Sequence, residues 1–197
     1  MKKEDGFKSP YGLTTAEKRH SRYLYEANHE CLWNGYIWPF ATTQVLDAMI
    51  TVLNKYKQNT VTKEDFYEVL SQYAKMHYLE ENGKKVCWID EVKKPTDNTW
   101  SSRDILKDWG WPKNKGGFER GKDYNHSAFC NIIISGLLGI SAENGVLTVN
   151  PKIPDDWERF SVDNLWINDI LYKITYDKSR KDKLVVERKS PHKSLLI

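Results

Sequence analysis

The chain has 197 residues, enough to bury the core of one ordinary domain, and at 40% hydrophobic and 29% charged its composition is globular. No apolar run approaches the roughly 18 to 20 residues that a membrane helix needs. The 30 basic residues are interspersed with 27 acidic ones for a net charge of +3, which speaks against a nucleic-acid partner.

The N-terminus, Met1-Lys2-Lys3-Glu4-Asp5, leads into no apolar h-region, so no secretory signal is read in this chain. A longer form remains compatible with a periplasmic or secreted location. Leu24, Tyr23 and Tyr25 among charged residues predict a first helix over Thr15–His29. Trp38-Pro39 then opens a second, Phe40–Tyr56, whose Val45, Leu46, Met49, Ile50, Val52 and Leu53 recur at helical spacing behind a proline suited to a first turn. Thr62 followed by Asp65 predicts a capping box, and Phe66, Val69, Leu70, Tyr73, Ala74 and His77 carry a third helix expected to end near Gly83.

From Lys84 to Tyr124 periodicity disappears while prolines, glycines and tryptophans accumulate, the mark of a long functional loop. Ser127–Leu138 reads as a buried helix stopped by Gly136 and Gly139. Beyond Ser141, β-prone segments near Gly145–Val149, Phe160–Ile167, Leu171–Tyr176 and Lys183–Val186 alternate with turn dipeptides. The basic tail Arg188–Lys193 reads as a solvated end.

Cys31, Cys87 and Cys130 are odd in number and lack C-x-x-C spacing, so they are expected to be free thiols. The five histidines, His20, His29, His77, His126 and His192, show no metal-ligand spacing, and neither a metal nor a cofactor is expected. Eight tryptophans and eleven tyrosines supply flat apolar faces of the kind that sugars stack on, although core packing is the commoner use.

Three segments carry a resemblance: Leu32-Trp33-Asn34-Gly35-Tyr36-Ile37-Trp38-Pro39-Phe40-Ala41-Thr42-Thr43, then Trp88-Ile89-Asp90-Glu91 running on to Pro95 and Trp100, then Gly121-Lys122-Asp123-Tyr124-Asn125-His126-Ser127. In this order they resemble the six-hairpin (α/α)6 glycoside hydrolases, in the branch of mannosylglycerate hydrolase, with trehalases and family 63 glucosidases as more distant relatives. Leu147-Thr148-Val149-Asn150-Pro151 through Trp157 is similar to the start of the β-rich region of those proteins.

The resemblance implies a mainly α fold, a partial (α/α)6 toroid over residues 1–140 followed by a small antiparallel β region over 141–197. It also implies the C-terminal piece of an inverting O-glycosidase of carbohydrate metabolism, inactive alone because the general acid lies upstream. Its partners are then a saccharide and the missing N-terminal part of the same enzyme, without nucleic acid or membrane. Glu91 takes the place of the catalytic base, with Asp90 as the adjacent rival; the bland alternative is a surface loop acid beside Lys93 and Lys94. Trp33, Asn34, Trp38, Asp123, Tyr124 and His126 take substrate-binding places, set against ordinary packing for Trp33 and Trp38 and helix capping within the Asp123–His126 cluster. A noncatalytic carbohydrate-binding or interaction module is the alternative function.

Overall fold

The structure is a computed structural model that describes residues 4–25 and 29–189; the last part of the predicted first helix and most of the basic tail, His192 included, lie outside the described residues. The chain divides into two compact units, Met1–Ile133 and Ile134–Ile197.

In the first unit, β1 (Lys8–Ser9) and β2 (Gly12–Leu13) form a small ribbon. The predicted helix over 15–29 is absent through residue 25, where the chain runs in turns. The physical reason is that its polar groups bond to a different segment. The Thr15 hydroxyl donates to the Trp33 and Tyr36 carbonyls, and Leu24 N, in a left-handed residue, donates to Asn34 O.

Helix α1 (Pro39–Lys55) starts on its proline and buries Thr42, Thr43, Leu46 and Met49. Helix α2 (Lys63–Ala74) packs against it through Phe66, Val69, Leu70 and Tyr73. Its capping box is complete: Asp65 N donates to Thr62 Oγ1 at 3.2 Å and Thr62 N to Asp65 Oδ2 at 2.9 Å. This helix ends well before Gly83. Asn82 and Gly83, both at positive φ, instead close a hairpin between β3 (Tyr78–Glu81) and β4 (Lys84–Cys87).

The stretch read as loop contains helix α3 (Ser101–Asp108) and two short 3-10 turns at Lys113–Lys115 and Gly117–Glu119. Single antiparallel bridges tie Thr14 to Ile37, Ile37 to Lys93 and Lys93 to Trp100. They bring the Trp33–Trp38 segment beside the segment carrying Asp90 and Glu91. Helix α4 (His126–Asn131) then runs into a wider π-type turn over Ile132–Leu137.

In the second unit, β5 (Ile140–Glu143) and β6 (Val146–Val149) pair around Asn144-Gly145, and β7 (Arg159–Ile167), β8 (Ile170–Asp177) and β9 (Leu184–Lys189) form an antiparallel meander. Strands β6 to β9 fall on the four β-prone segments, whereas β5 lies ahead of them, outside any such segment. Gly139 needs its lack of a side chain: its φ is +62° and a Cβ would collide with the Asn150 carbonyl. Tyr172 and Ile174 are buried, and Phe160 stacks on its cross-strand partner Tyr176.

The expectation of a mainly α chain carrying a partial (α/α)6 toroid is overturned. The described residues are 30% helical and 26% strand, with four antiparallel sheets, so the architecture is mixed α/β. The Asn82-Gly83 turn and the left-handed Leu24 divert segments that the apolar spacing alone assigns to helix. No described helix is long and apolar enough to cross a membrane.

Candidate functional site

The two acids that compete for the base position sit in opposite surroundings. Asp90 is 1% exposed. Its Oδ1 accepts from Glu91 N at 2.8 Å and Ser102 Oγ at 3.1 Å, and its Oδ2 accepts from Trp88 Nε1 at 3.3 Å. Burial pushes its carboxyl above the usual range, against these hydrogen bonds and the nearby Arg103 guanidinium. Arg103 is itself buried among the rings of Trp88, Phe118 and Trp111 at 4.3, 4.7 and 5.0 Å, and donates to Phe118 O. Gly121, at φ +80°, lies so close that a Cβ would strike the Asp90 carboxyl. Asp90 is therefore held as a buried strut beside Glu91.

The Glu91 side chain is 23% exposed. Its Oε2 accepts from Arg120 at 2.7 Å and from the Cys31 thiol at 3.5 Å, while Oε1 receives no hydrogen bond from the described residues. Arg120 also donates to Cys31 Sγ at 3.0 Å and to Glu30 Oε1 at 3.0 Å, and Lys115 reaches the same Glu30 oxygen at 2.8 Å. Glu30 is 3% exposed. Burial alone would raise its carboxyl, but the hydrogen bonds from Lys115 and Arg120 prevail and hold it at about 2. Burial opposes the charge on Arg120, and the carboxylates of Glu91 and Glu30 more than offset it, so its pKa is raised. Burial pushes the Cys31 thiol up, and burial together with the charges of Glu91 and Cys31 pushes the Tyr124 phenol up to about 12.

Trp33 and Trp38 divide a different task. Their rings stack at 3.9 Å and 18°, Trp38 is buried with Nε1 donating to Leu32 O, and Trp33 remains 50% exposed. Trp33, Asn34, Leu32 and Cys31 line an open cavity of about 890 Å³ together with Arg22 and Tyr25. Asn34 spends its amide nitrogen on the Arg22 and Tyr25 carbonyls, leaving its oxygen as the group without a hydrogen bond among the described residues.

The last predicted segment forms its own cluster. His126 Nε2 lies 3.7 Å from Asp123 Oδ1, and its ring is 5.1 Å from that of His77. Asn125 stands at the N-cap position of α4 in a left-handed conformation, but its side chain makes no cap. It donates to the Tyr73 hydroxyl at 3.2 Å and to Thr43 Oγ1, while the Tyr73 hydroxyl donates to Asn125 O at 3.1 Å.

The structure thus gathers Glu91 with Cys31, places Trp33 and Asn34 on the cavity that Cys31 also lines, and pairs Asp123 with His126. Sequence reasoning missed Glu30, Arg103 and Arg120, which no periodicity or motif marks. His29, Glu30 and Cys31 present ligand atoms within 4.8 Å of one another, but Arg120 and Lys115 already occupy two of these groups, and two fixed cations oppose a third. All three cysteines are free thiols.

A solved structure named sialidase is similar to this chain, with a TM-score of 0.75 and 30% identity over 94% of it. The chain spans 16% of that protein's length. No curated protein matches the chain. A family model, the mannosylglycerate hydrolase MGH1-like glycoside hydrolase domain, matches residues 1–127. Together these matches support a carbohydrate-related function. By the match over most of its length, the chain belongs to the family of mannosylglycerate hydrolase MGH1-like glycoside hydrolase domains.

Proposed function

We propose that this chain supplies the catalytic base and part of the sugar-binding wall of an inverting O-glycoside hydrolase, and that the proton donor is carried by polypeptide outside this sequence. The observation behind the reading is the contrast between two adjacent carboxyls. Asp90 is saturated by three donors and sealed from solvent, whereas Glu91 keeps Oε1 open among the described residues and touches the thiol that lines the cavity. A carboxylate oxygen that no donor engages can accept a proton from water; one already bound by N–H and O–H groups would first have to lose them.

In inverting hydrolysis the base draws a proton from the water that attacks the anomeric carbon, and an acid about 6.5 to 9.5 Å away protonates the departing oxygen. Glu91 takes the first role. Trp33 offers its exposed face to the apolar side of a sugar ring, backed by Trp38, and the Asn34 amide oxygen, Tyr124 and the Asp123–His126 pair supply directional polar contacts.

A leaving alkoxide departs poorly without a proton, and a positioned acid contributes about 10²- to 10⁴-fold. The chain alone is therefore expected not to turn over glycosides. The test compares the purified 197-residue chain with a version joined to any adjoining upstream coding sequence, on aryl glycosides and natural disaccharides. Turnover in the joined form alone, lost in Glu91→Gln, supports the proposal. Turnover by this chain alone overturns the division of acid and base, and saccharide binding without turnover in either form favours a noncatalytic binding module.

A further inference from the structure

Resting on the reading of Glu91 as base, we propose that Arg120 is the positioning residue of that base, holding the Glu91 carboxylate in one orientation because Arg120 is itself anchored on the buried Glu30. The guanidinium divides its donors. One terminal nitrogen donates to Glu30 Oε1 at 3.0 Å, and the other donates to Glu91 Oε2 at 2.7 Å and to Cys31 Sγ at 3.0 Å. Holding Oε2 turns Oε1 into the oxygen available to water. Charge-assisted bonds from a planar fork fix both distance and angle, which a lysine ammonium on a flexible stem does not.

The anchor behind Arg120 is built with care for charge. Glu30 is almost fully buried, and Lys115 shares its Oε1 with Arg120, so two carboxylates face two cations and the cluster is formally neutral. The backbone is pinned as well: the next residue, Gly121, packs directly on Asp90, and the Arg120 stem lies against Gly116. One dipeptide, Arg120-Gly121, therefore rests on both acids of the Asp90-Glu91 pair, the glycine on the strut and the arginine on the base.

A purely structural ion pair and a positioning residue make different predictions. In whichever form of the protein turns over glycosides, Arg120→Met is expected to lower kcat by about 10²-fold with KM changed by less than about 2-fold, the loss typical of a misplaced catalytic group. Arg120→Lys is expected to recover part of it. Glu30→Gln, which has no hydrogen bond to Glu91, is expected to lower kcat by about 10-fold through the slackened arginine.

A second readout needs no turnover. In a Cys87→Ser/Cys130→Ser background, which removes the two exposed thiols, iodoacetamide alkylation of Cys31 in this chain at about pH 8.5 reports the thiolate fraction. Arg120→Met is expected to slow it several-fold, despite the smaller side chain, because the guanidinium that favours the thiolate is gone; Glu91→Gln is expected to speed it. Faster alkylation in Arg120→Met makes Arg120 a mere cover and overturns the proposal. So does a kcat within about 2-fold of the parent in Arg120→Met when Glu91→Gln abolishes turnover. No turnover in any form, with both alkylation signs as stated, overturns the base reading and with it the positioning role, while leaving the Arg120 contacts themselves confirmed.

Discussion

The two compact units treat charge differently. Among the described residues, the unit before Ile134 buries Glu30, Asp90, Lys93 and Arg103, whereas the unit from Ile134 onward buries Lys152 and Asp177 and otherwise relies on apolar cross-strand packing such as Phe160 on Tyr176. Asp177 sits at a strand end, where it accepts from Ser179 and pairs with Arg159 and Arg180, an ordinary turn. Asp90 and Glu30 are instead locked into networks that meet at Glu91, the first on its backbone N–H and the second through Arg120 on its carboxylate. Taking ions out of water costs several kcal/mol each, so a cluster of this kind is poor value as a source of stability. On the proposed reading, the chemistry lies in the first unit, where these buried charges gather.

If that contrast is right, the largest loss comes from the contact between Gly121 and Asp90. Gly121→Val adds a branched side chain at φ +80° where a Cβ already meets a buried carboxyl, and is expected to cost about 4 kcal/mol or more in urea unfolding. Asp90→Asn keeps the shape but points an amide donor at groups that themselves donate, and is expected to cost about 2 to 3 kcal/mol, read the same way.

Lys93 should respond with the opposite sign. Its ammonium rests on the Trp100 ring at 4.4 Å, and burial depresses its pKa to about 8 from an ordinary 10.5. The unfolded chain therefore binds more protons between those values, so stability rises with pH across about 8 to 10.5. Lys93→Met is expected to flatten this rise and to stabilise the protein at pH 7 by about 1 to 2 kcal/mol, measured by unfolding at several pH values. The smallest effect is expected in the second unit: Phe160→Leu loses only the stacking on Tyr176, about 0.5 to 1.5 kcal/mol, and no turnover in a form that has it.

How far the sequence discloses all this depends on the distance over which a signal acts. Helices α1 and α2 follow from apolar spacing, Pro39 and the Thr62–Asp65 box, and strands β6 to β9 from alternation between turn residues. The supposed helix over 15–29 fails because Thr15 and Leu24 bond to residues 33–36, a contact that local periodicity does not encode. The third helix stops at Ala74, short of Gly83, because Asn82-Gly83 turns the chain into a hairpin that apolar spacing does not register. Within the site, Trp33 and Glu91 are legible as motif members, but the choice between Asp90 and Glu91 depends on burial, which adjacent identical chemistry cannot reveal. Arg120 and Glu30 stand 90 residues apart, and only the folded chain puts them on one another.

The central claim is that Glu91, and not Asp90, removes the proton from the attacking water. Azide is a nucleophile that needs no base, so it can replace water in a variant whose only defect is a missing base. The most direct measurement is turnover of an aryl glycoside by Glu91→Ala, in the form of the enzyme that has activity, with and without added azide. The account predicts that azide restores turnover and yields a glycosyl azide of inverted anomeric configuration, with no such rescue in Asp90→Ala. Rescue in Asp90→Ala but not in Glu91→Ala would contradict it.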